Sequence, residues 1–147
     1  MGEDDSPPAD AADAAVPPPS TVKIMFKSGD DLRQDQLVMQ LMFLMDRLLK
    51  KVNLDLKLLT YRVLAITQSD GIMEFVPNSH AISSILKEYR TIGAFLKKHN
   101  LDRSAPYEVS PLAMDTFVKS TAASCVLTYL LGIGDRHLDN IMVCENG

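Results

Sequence analysis

Asp135, Arg136, His137 and Asn140 place a carboxylate, a guanidinium, an imidazole and a carboxamide within the nine residues Gly132 to Asn140. Either Asp135 or His137 could accept a proton from a hydroxyl or steady a group in transfer. The carboxamide oxygen of Asn140 is the hard donor that Mg2+ prefers, and Arg136 could fix the loop or touch a phosphate. The plainer alternative is a polar turn between two elements. A Ser/His/Asp hydrolase fits poorly, because the chain has no G-x-S-x-G nucleophile elbow.

Two further clusters could serve phosphate chemistry. Lys27 is expected at the end of a strand and Asp35 in the first turns of the helix that follows. An ammonium held by a carboxylate can be aimed at phosphates, whereas an ordinary surface pair would be worth little. Glu74 to Val76 end a strand that breaks at Pro77. Backbone groups left without ladder partners there could read a purine edge, or could simply mark an edge strand. Cys125 and Cys144 show no CxxC or Cys/His spacing, so no metal site is expected from them, and Cys125 is expected to be buried on an apolar helix face. His80 and His99 read as structural or exposed.

The elements that position these groups follow from periodicity. Val22, Ile24 and Phe26 alternate with Lys23 and Met25, which predicts a strand ending at Lys27 before a Ser28-Gly29 turn. A helix comes next, with Asp30 or Asp31 as cap and Gln34 closing a capping box; Leu37, Leu41, Leu44, Met45, Leu48 and Leu49 form its apolar face. Leu58 to Thr67 and Ile72 to Val76 read as a hairpin turning at Ser69-Asp70-Gly71. Helices are expected from Ser79 to about Lys87 and from Thr91 to about His99, with a loop from Leu101 to Glu108. Ser110 as cap and Pro111 at the first position open a long helix that stops at Gly132, and Ile141 to Cys144 form a short apolar run after the loop. The order predicts an α+β fold.

At 147 residues the chain bounds one domain at most, with ordinary apolar (46%) and charged (23%) fractions. The net charge of −4 is uneven: residues 1–21 hold five acidic residues and no Lys or Arg, leaving 15 basic against 14 acidic residues in the rest. That balance points to neither a nucleic-acid nor a membrane surface, and no nucleic-acid partner is expected. Residues 1–21 are rich in Pro, Ala and Asp, with Val16 their one β-branched apolar residue, and are expected to be disordered. No signal peptide is visible, and the uncharged run Ser120 to Gly134 is too short to span a bilayer, so a cytosolic protein is expected.

Phe26-Lys27-Ser28-Gly29-Asp30-Asp31-Leu32-Arg33-Gln34-Asp35 and Gly132 to Asn140, with Asp-Arg-His in place of His-Arg-Asp, resemble the two hallmark stretches of phosphatidylinositol 3- and 4-kinases and their protein-kinase cousins. Leu138-Asp139-Asn140, Asp35-Gln36-Leu37 and Asn53 to Leu58 resemble the class III phosphatidylinositol 3-kinase catalytic subunit. The resemblance covers residues 22–147 and implies part of a two-lobed, protein-kinase-like fold: some of the small sheet-bearing lobe and the start of the helical lobe. It implies that Lys27 contacts ATP phosphates, that Asp35 holds Lys27, and that Tyr61, Glu74 and Val76 surround the adenine. Asp135 and His137 would act on the inositol hydroxyl and transferring phosphoryl, Arg136 would support the loop, and Asn140 would bind Mg2+, or Mn2+ in its place. Implied partners are phosphatidylinositol at a membrane and the regulatory subunits of a class III complex, on endosomal or autophagic membranes. The phosphate-covering loop and the Asp-Phe-Gly segment have no counterpart here, so the chain is expected to be a middle slice, inactive alone. The alternatives are a non-catalytic remnant used as an interaction module, a phosphatidylinositol 4-kinase, or a large Ser/Thr protein kinase.

Overall fold

Residues 22–147 are described by the computed structural model; residues 1–21, and with them the expected disorder, lie outside the described residues. The first alternating run forms β1 (Ile24–Ser28), which pairs antiparallel with β3 (Asp70–Glu74); the other edge of β3 takes β2 (Val63–Ala65). Lys27 thus sits opposite Gly71 in the register. The β2–β3 hairpin is present, but it turns earlier than expected, at residues 67–69, and Asp70 and Gly71 belong to β3. The physical reason is side-chain chemistry. The Asp70 carboxylate accepts the hydroxyls of Thr67 (2.9 Å), Ser69 (3.1 Å) and Ser28 (2.7 Å), pinning the turn before it. The strand takes only three residues of the expected Leu58 to Thr67 run.

The long apolar stripe after the turn forms α1 (Arg33–Lys51), preceded by Leu32 without a side-chain cap. The expected capping box with Gln34 does not form, because Asp31 gives its carboxylate to the Arg33 guanidinium (2.6 Å to Nη2) and holds the Arg33 amide at 3.1 Å. That pairing lowers the Asp31 carboxyl to about 2. Gln36 instead accepts the Ala65 amide at 2.8 Å, fastening α1 to β2. On the apolar face Leu41, Met45 and Leu49 are half-buried, whereas Leu37, Leu44 and Leu48 remain exposed.

The expected helix start at Ser79 is corrected: β4 (Ser79–Ala81) precedes α2 (Ile82–Tyr89) and pairs antiparallel with β5 (Met142–Cys144). The competing β5 strand lies sixty residues away and claims the backbone of Ser79 to Ala81 before the helix can. α3 (Ile92–His99) begins as expected at Thr91, whose hydroxyl accepts the Ala94 amide at 3.0 Å. A 3-10 turn at Pro106–Glu108 leads to α4 (Pro111–Leu130), where Ser110 makes no side-chain cap. Ile85, Phe95, Leu96, Val109, Ala113 and Val143 form the main buried cluster, so β5 and the start of α4 share one core with α2 and α3. Cys125 is exposed rather than buried. The buried line of α4 runs through Ala113, Ala123 and Leu127, and a residue two places from each of the last two points roughly 200° away at 100° per residue. These helices beside two small antiparallel sheets give α+β content. Among the described residues no helix is long and apolar enough to cross a membrane.

Candidate active site

The loop from α4 to β5 carries Asp135, Arg136, His137 and Asn140, all exposed. Asp135 has a positive φ of 55°, a left-handed backbone that a non-glycine residue adopts at some cost. The hydrogen bonds of Asn140 explain why it holds: Asn140 Nδ2 donates to the Asp135 carbonyl at 3.1 Å and to its Oδ2 at 2.8 Å. With its nitrogen spent on Asp135, the carboxamide leaves its oxygen as the group available to a hard cation, which fits the Mg2+ expectation. His137 Nε2 lies 3.7 Å from Asp135 Oδ1, and Arg136 Nε donates to the Gly134 carbonyl at 3.0 Å, bracing the loop.

The other candidate residues come from β1 and α1. Lys27 is half-buried on β1 and Asp35 exposed in the first turn of α1. The expected Lys27–Asp35 ion pair is not formed among the described residues; Lys27 Nζ pairs with Asp30 at 3.2 Å. The turn at Ser28-Gly29, with Gly29 at φ +81°, folds Asp30 back beside Lys27, and an i,i+3 partner is nearer than one a helix turn further on. Asp30, which by sequence is only a candidate cap, is thus the partner Lys27 takes, and the tight turn between the two carries the signal. Tyr61 is where the groups converge. Burial pushes its phenol up, the Asp35 carboxylate pushes the same way, and Arg136 and Lys27 oppose them. Lys27, Asp35, Tyr61 and Arg136, from four separate segments, thus share one electrostatic neighbourhood.

The strand-end backbone is only partly free. The Glu74 amide donates to the Arg62 carbonyl at 2.8 Å and the Phe75 amide to Lys23 at 2.9 Å, so two of the three expected positions are tied. The Val76 carbonyl accepts the Ser79 hydroxyl at 2.8 Å, whereas the Val76 amide has no hydrogen-bond partner among the described residues. Of the three backbone amides from Glu74 to Val76, the Val76 N–H is the one left available among the described residues.

Residues 21–147 match the family model described as phosphatidylinositol 3- and 4-kinase. The chain is 52% identical over 125 residues to phosphatidylinositol 3-kinase VPS34 of Arabidopsis thaliana, covering 85% of this chain and 15% of that protein. It is 52% identical over 132 residues to phosphatidylinositol 3-kinase pik3 of Schizosaccharomyces pombe, covering 87% and 16%. It is 52% identical over 124 residues to VPS34 of Saccharomyces cerevisiae, covering 84% and 14%. The chain spans about 15% of the length of these curated relatives. With both hallmark stretches present and matched across nearly all of the described residues, the chain belongs to the phosphatidylinositol 3- and 4-kinase family.

Proposed function

We propose that this chain supplies the nucleotide-phosphate lysine and the proton-handling loop of a phosphatidylinositol 3-kinase, which moves the γ-phosphate of ATP to the 3-hydroxyl of phosphatidylinositol. The observation that carries the reading is the match to the phosphatidylinositol 3- and 4-kinase family over residues 21–147, which takes in both hallmark stretches; the charges of Lys27, Asp35 and Arg136 that bear on the half-buried Tyr61 phenol agree with it. The 52% identity to proteins named phosphatidylinositol 3-kinases favours the 3-hydroxyl over the 4-hydroxyl.

In this reading the segments form the facing parts of two kinase lobes, spanning residues 22–147. Lys27 neutralises phosphate charge, and the Val76 N–H meets the purine edge beside Glu74, with Tyr61 at the back of the pocket. Asp35 adds negative charge from the first turn of α1 on the side of Tyr61. Asp135 and His137 act on the inositol hydroxyl and the transferring phosphoryl, and Arg136 braces the loop through the Gly134 carbonyl. When bound through the Asn140 oxygen, Mg2+ supplies charge neutralisation at the ATP phosphates. Little covalent work is asked of the protein; positioning and charge do most of it. The reading carries with it a membrane surface as workplace, regulatory subunits as partners, and endosomal or autophagic membranes as location.

Titration of the 15N-labelled chain with ATP and Mg2+ tests it. Amide shifts are expected to concentrate at Lys27, Tyr61, Val76 and Asn140, and to vanish in Lys27→Met. Shifts confined to other segments, or unaltered by Lys27→Met, would overturn the reading.

A further inference from the structure

The loop is also bonded from outside, by the first residues of α2. Ser83, in the first turn of α2, donates its hydroxyl to Asp139 Oδ1 across 56 residues of sequence. The Asp139 amide in turn donates to His137 Nδ1 at 3.2 Å, and Asp139 Oδ2 lies 3.7 Å from the same nitrogen. The backbone runs the opposite way: the Ser83 amide donates to the Leu138 carbonyl and the Ile82 amide to Ile141, each at 3.0 Å. α2 has no side-chain cap of its own, since Ala81 stands at that position. The loop therefore caps the helix, while the helix hydroxyl holds the loop. Ile85 anchors the same helix turn in the main core, so the loop gains a rigid support that its own exposed residues lack.

We propose that Ser83 is a positioning residue for His137, acting through Asp139. An amide hydrogen pointed at Nδ1 needs the lone pair there, which puts the ring proton on Nε2, the nitrogen that faces Asp135. Ser83 holds Asp139 where its amide can do this. The importance of that tautomer for phosphoryl transfer rests on the function proposed above; the positioning itself does not.

The test uses the full 15N-labelled chain without nucleotide or lipid, at one pH above the imidazole range. The readouts are the ring-nitrogen shifts of His137 and hydrogen exchange at the Asp139 and Asn140 amides. The parent is expected to show the Nε2–H tautomer alone. Ser83→Ala is expected to mix the two tautomers and to speed exchange at Asp139 about tenfold, the order expected for a hydrogen bond to a carboxylate. Ser83→Thr is expected to restore both, with exchange at Phe95 and Leu96 unchanged in all three proteins. Parent-like shifts and exchange in Ser83→Ala overturn the proposal, as does a loss that Ser83→Thr does not rescue. A loss matched at Phe95 and Leu96 overturns it too, because it would mark a role in the fold alone. A failure of the kinase reading would appear instead in the ATP titration, which this test does not use.

Discussion

Gly71→Ala probes how tightly the sheet holds Lys27. Gly71 is buried in the central strand β3, with Lys27 opposite on β1 and Ala65 opposite on β2. A Cβ added there would lie 2.7 Å from Leu32 Cδ1, 2.8 Å from the Leu64 carbonyl oxygen and 3.3 Å from Ala65 Cα. Leu32 is only 1% exposed, so its methyl has no solvent to swing into. The Leu64 oxygen belongs to the β2 backbone, and reaching an ordinary carbon–oxygen approach of about 3.3 Å requires the strands to part by roughly half an ångström. Overpacking of this kind typically costs about 1–3 kcal/mol, or a factor of roughly 5 to 150 in the folding equilibrium. Taking a urea slope near 2 kcal/mol/M, the midpoint should fall by about 0.5 to 1.5 M with the slope unchanged. Gly134→Ala serves as control, since a Cβ there meets nothing within 4 Å and the backbone is not left-handed. It should stay within about 0.5 kcal/mol of the parent. Because β1 carries Lys27, ATP-induced shifts at Lys27 should weaken along with stability in Gly71→Ala. A midpoint within error of the Gly134→Ala control would refute the packing argument.

Two other perturbations bear on the same scaffold. Thr91→Ala removes the hydroxyl that accepts the Ala94 amide at 3.0 Å, and should cost about 1 kcal/mol by urea denaturation; an unshifted midpoint would show that the cap contributes nothing. Asp70→Asn addresses pH. Hydroxyls of Ser28, Thr67 and Ser69 hold the Asp70 carboxyl below its ordinary value, so its charged form contributes stability above the unfolded-chain value of about 3.9 and loses it as pH falls through the lower folded value. The parent should therefore exceed Asp70→Asn in stability near neutrality, with the gap closing in acid; a gap constant down to the acid limit would contradict the sign.

Much of this chain was legible locally. Hydrophobic spacing located α1, α3 and α4 within a few residues, because a 3.6-residue period and a flanking turn are written in neighbouring positions. The two hallmark stretches, each contiguous, were enough to indicate the family. What failed depended on partners distant in sequence. Ser79 to Ala81 became a strand because β5 lay alongside. Gly71 moved from a turn into a strand because two neighbouring strands closed over it. Cys125 turned outward because Ala123 and Leu127, not the general apolarity of α4, faced the core.

The site shows the same division. Residue types and spacing determined which groups could carry phosphate, purine and proton chemistry, since those capacities belong to the side chains themselves. Only the tertiary structure decided their pairing: Asp30 rather than Asp35 on Lys27, the Val76 amide rather than those of Glu74 and Phe75 left open, and Ser83 brought to Asp139. A pair's geometry depends on where two elements meet, and no local period encodes a meeting between residues 56 positions apart.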